Sequence, residues 1–347
     1  MKINSSEILA LRALQSSLEE VPFIQIVKPV APKKMLGPDF RIQIRLRNRV
    51  FNILAEYKSS GQPRIARQAA LQIKDQLSGG GGDYGVFIAP YISPAAALVC
   101  KNAGIGYLDL AGNYLISFQT VYIHGEGKPN PNIQRRELRS LYSPKAERIL
   151  RILLSKPQQS WKTEALAQAA QVSFGQVSNV KKYLTDREWL APKRGGIQLI
   201  NPGALLDEWA VQYRFQRNLV MDYYALAEVA ECEYQLAETC QRQGVRYALT
   251  AFSGAARLAP AVRYQRAISY VEGDLKALTD SLGWKPVTTG ANVSLLMPYD
   301  EGVFFESRDI DGAQSAAPVQ IYLDLQNFRG RGQEAAQAIR KVVEQLW

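Results

Sequence analysis

"DFRIQIRLRNRVFNILAEYK", residues 39–58, decides how the first third of the chain is read. It divides into two strand-like runs, "DFRIQIRL" and "RVFNILAEYK", which make a hairpin if the chain turns at Arg47-Asn48. Paired positions then sum to roughly 95–97, which sets Asp39 opposite Glu56, Tyr57 or Lys58. Along a strand residues two apart share a face, so the Glu56 carboxylate and the Lys58 ammonium are neighbours. Glu-x-Lys alone means little, because a chain of 347 residues contains about one by chance. The register of Asp39 is what chance rarely supplies.

Before the hairpin lie a helix from Ser5 to Glu20, with Ile8, Leu11, Leu14 and Leu18 at helical spacing, and the strand-like "PFIQIVKPV". After it, "PRIARQAALQIKDQL" puts Pro63 where a first helical turn tolerates it and Ile65, Ala69, Ile73 and Leu77 on one face. There follow an "SGGGG" tip, the buried strand "DYGVFIAPYI", a short helix capped by Ser93 and stopped by Gly104, and the hairpin-like "IGYLDLAGNYLISF". The order is α-β-β-β-α-β, with further elements behind it. Two carboxylates meeting at the ends of adjacent strands offer hard oxygen ligands to Mg²⁺, and a lysine beside them can orient water and stabilise charge on a scissile phosphate. In Pro38-Asp39, in Glu56-Tyr57-Lys58 and in this order of elements, the segment resembles the PD-(D/E)xK nuclease fold. The resemblance implies Asp39, Glu56 and Lys58 as catalytic residues, Asp39 and Glu56 as Mg²⁺ ligands if the site is active, and Gln68 or Gln72 as an auxiliary glutamine. The competing reading is a salt-bridged strand end on such a fold without catalysis, since fold does not imply function. Asp109 is read as the acceptor of a local turn at Ala111-Gly112-Asn113 rather than as a further ligand.

The length suits two or three domains. The three cysteines, Cys100, Cys232 and Cys240, form no CxxC pair, and His124 is the single histidine. Zinc sites and histidine triads are therefore not expected, and any metal falls to carboxylates. No apolar run approaches the roughly 20 residues needed to cross a bilayer, and the start lacks the layout of a signal peptide, so a soluble, cytoplasmic protein is expected. The formal charge of +10 is unevenly spread: residues 1–140 carry 18 basic and 10 acidic side chains, residues 141–215 carry 11 and 6, and residues 216–347 carry 13 and 16. A polyanion partner is expected at the first two segments and not at the third.

"GKPNPNIQRRELRSLYSPK" marks a linker. Beyond it come a helix with Ile149, Leu150, Leu153 and Leu154 as its apolar stripe, a second helix "KTEALAQAAQ", and a third, "FGQVSNVKKYLTDREWL". "APKRGGIQLI" then offers a basic Gly-Gly tip between two short extended runs. This is the winged helix-turn-helix order. On the third helix Val177, Val180 and Leu184 face a core, leaving Gln176, Ser178, Asn179, Lys181 and Lys182 for base edges and phosphates of double-stranded DNA, with Lys193 and Arg194 as a phosphate-contacting wing. The bland alternative is a three-helix linker whose polar face meets water. Helix and wing are complete within Ser143–Arg214, so that fragment is expected to bind duplex DNA.

The last segment opens with an amphipathic stretch from Leu205 to Gln243, one bent helix or two, and continues as a mixed α/β unit. Strands are expected at "VRYALTAF", "VSLLMPY", "GVFFES" and "VQIYLDL", helices at "DLKALTDSLG" and "GQEAAQAIRKVVEQL". "FSGAARLAP" has the Gly-Ser opening of a nucleotidyltransferase, yet the stretch after it lacks the acid pair that such an enzyme needs for Mg²⁺, so transfer chemistry is not expected. Taken together, "RYALTAFSGAARLAPAVRYQRAISYVEGD", "GANVSLLMPYDEGVF" and "VQIYLDLQNFRGRGQEAA" resemble the C-terminal domain of AbiEi-type antitoxins of type IV toxin–antitoxin systems, over roughly Ser143 to Trp347. The expected fold is thus α+β or α/β and multidomain. It comprises a restriction-endonuclease-like domain at 1–140, a winged helix at 141–215 and a mixed α/β domain at 216–347. The resemblance implies a DNA-binding transcriptional regulator, an antitoxin-like repressor whose acidic last segment meets a cognate toxin, another protein or a second copy of itself. A Mg²⁺-dependent nuclease targeted by its winged helix, in phage defence or DNA processing, is the alternative, and a purely structural partner-binding protein is a third. No cofactor is expected beyond Mg²⁺ at an active nuclease-like site.

Overall fold

Helix α1 (Ser5–Glu19) leads into strands β1 (Ile24–Val30), β2 (Phe40–Leu46) and β3 (Arg49–Tyr57), which pair antiparallel. The β2–β3 turn is Arg47-Asn48, with Arg47 at φ 53°. Pairs run from Leu46↔Arg49 to Phe40↔Ala55, so partner numbers sum to 95, as the hairpin reading requires. Helices α2 (Pro63–Ser78) and α3 (Pro94–Ala103) cross over between β3, β4 (Tyr84–Ala89) and β5 (Gly106–Asp109), which pair parallel. Strands β6 (Tyr114–Phe118) and β7 (Val121–Gly125) complete a sheet ordered β1 to β7. β4 is buried at every residue, as befits a central parallel strand covered on both faces. One face packs Ile42, Ile44, Ile53, Ala55, Val86 and Ile88 on Leu14 and Leu18 of α1. The other packs Phe87 and Ala89 on Ala66, Ala69 and Ile73 of α2 and on Ala96 and Cys100 of α3. Ile8, placed in the α1 stripe by its spacing, is 40% exposed, and Ala10 takes the inner position.

The computed structural model describes residues 5–30, 38–129 and 141–347. Met1–Arg135 with Thr185–Glu188 form one compact unit, and Arg136–Leu184 with Trp189–Trp347 form a second. The second unit begins with α4 (Pro144–Ser155), α5 (Thr163–Ala169), α6 (Phe174–Asp186), the antiparallel pair β8 (Leu190–Lys193) and β9 (Gly196–Leu199), and α7 (Pro202–Gln212). Its sheet strands are β10 (Leu219–Tyr224), β11 (Tyr247–Leu249), β12 (Ala267–Val271), β13 (Lys285–Pro286), β14 (Val293–Met297), β15 (Arg308–Ile310) and β16 (Ala313–Ser315). They lie in the order β13-β10-β14-β12-β11-β16-β15, with parallel and antiparallel neighbours mixed. The remaining helices are α8 (Val229–Gln243), α9 (Ala251–Leu258), α10 (Leu275–Leu282), α11 (Pro318–Leu325) and α12 (Arg331–Glu344). α8 and α10 share a core with Leu249, Val271 and Leu295, and α9, α11 and α12 share another with Ile268, Tyr270 and Leu296.

That second core runs on without a break into α4, α5 and α6: Ile149, Leu150, Leu153, Val177, Val180 and Leu184 belong to one buried cluster with Val319, Ile321 and Leu323. α4 is buried almost all round, Glu147, Arg148 and Arg151 included. Residues Ser143–Arg214 therefore bury α4 against chain that lies after Arg214, which removes the ground for expecting that fragment to fold and bind DNA alone. Three local expectations also change. Between Leu205 and Gln243 the strand β10 separates α7 from α8. "VQIYLDL" forms helix α11, entered through Pro318 and buried at all eight residues, and Glu301–Phe304, overlapping the start of "GVFFES", is a 3₁₀ turn. No helix among the described residues is long and apolar enough to cross a membrane.

Candidate functional site

The first site is built on the β2–β3 hairpin. Extending the Phe40↔Ala55 pair by one residue sets Asp39 opposite Glu56. The Asp39 Oδ2 atom accepts the Tyr57 amide at 2.9 Å, and Lys58 Nζ donates to Glu56 Oε1 at 2.6 Å. Gln72 Oε1 on α2 accepts from the same ammonium at 3.4 Å, whereas Gln68 is exposed. Glu56 is 2% exposed, and its Oε2 atom is buried with no hydrogen-bond partner among the described residues. Burial pushes the Glu56 carboxyl above its ordinary value; the Lys58 hydrogen bond pulls it back, and the charge of Asp39 adds to the rise. An orphaned buried oxygen of this kind costs on the order of 1–3 kcal/mol or more. A hard divalent cation held by Asp39 and Glu56 would relieve it. No group of three or more His, Cys, Asp or Glu side chains placed to hold a metal occurs among the described residues. An ion on this pair would complete its shell with water or phosphate, as Mg²⁺ commonly does. Asp109 accepts from the Ile92 amide at 3.1 Å, the Asn113 amide at 2.8 Å and Asn113 Nδ2 at 2.9 Å, around Gly112 at φ 94°, so it organises a turn.

The second site lies on α6 and the β8–β9 turn. Val177, Val180 and Leu184 are 0%, 1% and 0% exposed, while Ser178, Asn179, Lys181 and Lys182 are exposed and Gln176 is half-buried. Lys193 and Arg194 are exposed at the turn. Gly195 and Gly196 sit there at φ 101° and 145°. A Cβ on Gly196 would fall 2.0 Å from the Trp161 carbonyl oxygen, because Trp161 and Ile197 exchange backbone hydrogen bonds of 2.8 and 3.0 Å. Gly196 is thus required by the close approach of Trp161 and Gly195 by its positive φ alone, and the turn they make leaves Lys193 and Arg194 exposed. An open cleft of about 770 Å³ beside the start of α6 is lined by Lys145, Glu164, Gln168, Phe174 and Gln176.

Sequence reasoning missed a third constellation, buried in the second unit. Arg148 holds Asp300 in a bidentate pair, with Nε at 2.7 Å from Oδ1 and Nη2 at 2.8 Å from Oδ2, and Glu301 lies 2.8 Å from its Nη1. Arg151 donates from Nε and Nη2 to Gln320 Oε1 at 2.9 and 2.7 Å. Gln320 Nε2 donates in turn to Asp324 Oδ1 at 3.0 Å. Asp324 is fully buried and also accepts from Thr250, Tyr213 and Tyr270 hydroxyls. Burial raises its carboxyl to about 6, against the pull of those four donors. Glu147 accepts from Arg217 at 2.8 Å and from the Tyr299 hydroxyl. The one signal available beforehand was "AERILRILL", where charges fall inside an apolar run that wraps the whole helix. Asp324 is the acceptor at the end of this network. Ser253 Oγ accepts the Ile268 amide at 2.9 Å, and a Cβ on Gly254 would fall 2.7 Å from Ile321 Cδ1, so the Ser-Gly pair is packing rather than a phosphate cradle.

No curated protein and no solved structure matches the chain. One family model does, described as "transcriptional regulator, AbiEi antitoxin, type IV TA system", and it covers residues 198–345. Its span starts at the end of β9, so α4, α5 and α6 lie outside it and the match is shorter than the Ser143–Trp347 likeness read from the sequence. Over residues 198–345, from the last turns of the β8–β9 hairpin through α12, the chain is thus similar to the AbiEi antitoxin family of transcriptional regulators in type IV toxin–antitoxin systems.

Proposed function

We propose that this protein is a DNA-binding transcriptional regulator of the antitoxin type, gripping duplex DNA with a winged helix made of α4, α5, α6 and the β8–β9 hairpin. The observation that carries the reading is the division of α6. Its apolar positions are sunk in the core, while Ser178, Asn179, Lys181 and Lys182 are exposed, as are Lys193 and Arg194 at the β8–β9 turn. Amides, hydroxyls and cations on one helix face suit base edges and phosphates in a major groove, and a basic hairpin suits the flanking backbone. The family similarity supports a regulator in a toxin–antitoxin pair. The acidic last segment would meet the cognate toxin, or a second copy, through side chains such as Leu219, Leu226 and Tyr234, which are 58%, 97% and 63% exposed. The test uses the full chain. Duplex binding should weaken with salt, and alanine at Lys181, Lys182, Lys193 and Arg194 should reduce the log–log slope by about 0.9 for each phosphate that is no longer neutralised. Asn179→Ala should relax sequence preference by about 1–3 kcal/mol at one base pair. Binding indifferent to both sets of changes would refute the reading.

A second reading is favoured by one observation, the orphaned Glu56 Oε2 beside Asp39 and Lys58. If the first unit is a nuclease of the PD-(D/E)xK kind, Asp39 and Glu56 hold Mg²⁺, whose contribution is to polarise the phosphate and neutralise charge developing on it. Lys58 then orients water and offsets negative charge at the phosphate, with Gln72 holding the lysine. Plasmid cleavage that requires Mg²⁺ and vanishes in Glu56→Ala, Lys58→Ala and Asp39→Asn would establish the enzyme. A Mg²⁺-dependent rise in melting temperature that disappears in Asp39→Asn would report the ion without activity. Absence of both leaves the stretch as scaffold.

A further inference from the structure

The β2–β3 hairpin carries a feature that neither the acidic cluster nor the winged helix uses. Strand β2 buries Phe40, Ile42, Ile44 and Leu46 toward α1, so its alternate residues Arg41, Gln43 and Arg45 share the opposite face. The register puts Leu54 and Asn52 of β3 across from Arg41 and Gln43. Glu56, two residues beyond Leu54, lies on that same face with Asp39 opposite it. One face therefore runs from the Asp39–Glu56–Lys58 cluster past Arg41 and Arg45 to Arg47 at the turn. Arg45 and Arg47 are exposed and Arg41 half-buried. No ion pair joins any of the three to an acid among the described residues. Asp83, the acid beside Asn52, is occupied by the Asn52 amide at 2.7 Å, and Gln43 donates to Asn52 Oδ1 at 3.1 Å.

Arginines without acidic partners, in a row on one strand, are unusual for a surface that serves only solubility, where both signs are normally interspersed. Guanidinium groups are matched to phosphate by their planar fork of donors. Arg41 and Arg45 are four residues apart on a strand, about 14 Å, which spans about four nucleotide steps along one strand of a duplex. We propose that this face of β2 is a second nucleic-acid contact of the protein, in which Arg41, Arg45 and Arg47 hold separate phosphates along one phosphodiester backbone and guide it toward Glu56 and Lys58. It is separate from α6 and does not require that the strand be cut. Gln43, already committed to Asn52, supplies the polar floor between the arginines.

The experiment uses the full chain carrying alanine at Lys181, Lys182, Lys193 and Arg194, so that the winged-helix contribution is removed. Its affinity for a fluorescein-labelled duplex of arbitrary sequence, the single strand and an RNA of the same sequence is measured by anisotropy across a salt series, alongside phosphatidylserine vesicles. Adding Arg41→Gln, Arg45→Gln and Arg47→Gln should lower the log–log salt slope by about 2.7 on duplex, or about 2 if the single strand is the ligand. Lysine at the same three positions should keep most of the slope. Arg49→Gln is the single-charge control, expected to change the slope far less than each of Arg41→Gln, Arg45→Gln and Arg47→Gln taken alone, since it removes one charge from the α1-facing side of the hairpin, where Phe51 and Ile53 pack. The inference is overturned if the background chain binds no nucleic acid, if the triple change does no more than Arg49→Gln, or if only vesicle binding falls. Should the four alanines leave wild-type DNA affinity unchanged, the winged-helix reading fails while the arginine series still returns its own answer.

Discussion

Replacing Arg148 with methionine tests whether the helices α4 to α6, proposed above to meet DNA, and the antitoxin-like part are one cooperative body. Arg148 and Asp300 are 5% and 6% exposed and share two hydrogen bonds of 2.7 and 2.8 Å. In Arg148→Met the thioether fills much of the volume, but Asp300 keeps only the Gly302 amide at 2.8 Å. Breaking one side of a buried pair costs about 3–5 kcal/mol, because the remaining charge stays desolvated. For a unit of this size that lowers the melting temperature by about 6–20 °C. All five tryptophans, at 161, 189, 209, 284 and 347, lie in the second unit, so their emission follows it alone. Hydrogen exchange adds the location: protection in α6 and in α11 should fall by the same free energy. The double variant Arg148→Met/Asp300→Asn should recover most of the stability, since removing both charges is often nearly neutral. If protection falls in α6 while α11 keeps its own, or if the double variant is as poor as the single one, the shared core does not couple the two parts.

Stability of the second unit should also depend on pH through Asp324, whose carboxyl rises from 3.8 to about 6 on burial. A raised folded value means that stability present below about pH 4 declines as pH rises through about 6 and is flat beyond, by on the order of 3 kcal/mol in all. Urea unfolding followed by tryptophan emission should show this slope, and Asp324→Asn should flatten it; an unchanged slope would assign the effect elsewhere. Gly196→Ala should distort the β8–β9 turn at a cost of about 1–3 kcal/mol, weakening DNA binding while α11 protection persists; full affinity would mean the wing makes no contact. Ser253→Ala should destabilise by about 1–3 kcal/mol by orphaning the Ile268 amide, and the wild-type chain given labelled nucleoside triphosphates and Mg²⁺ should leave all label free; incorporation would show the Ser253-Gly254 pair to be catalytic.

Much of the first unit was legible because its signals are local. A two-residue turn fixes register, and register fixed where Asp39, Glu56 and Lys58 would meet, since side chains in strands alternate strictly. The inward positions of α6 were legible for the matching reason, a helical period with one wet face. The same logic fails where an element is buried all round. "VQIYLDL" shows no period because every residue of α11 is inside, so its β-branched and aromatic content argued for a strand against the tertiary outcome. β10 was hidden for the opposite reason, with Leu219, Val220 and Met221 all partly exposed, no clean alternation and helices on both sides. The Arg148–Asp300 and Arg151–Gln320 pairs join residues more than 140 positions apart. No local pattern specifies such a partner; at most, charges inside the apolar run of α4 mark that partners are needed.

The continuity of the core from α4 to α11 has a genetic consequence. In a protein whose operator-reading module folds by itself, a premature stop late in the gene leaves a truncated repressor that still occupies its site and competes with the intact product. Here a stop codon anywhere before Asp300 would remove the partner of Arg148, and one before Gln320 that of Arg151. If the proposed function holds, such alleles would be recessive and would lose DNA binding and partner contact together, so the two phenotypes should not segregate among nonsense mutants of this gene.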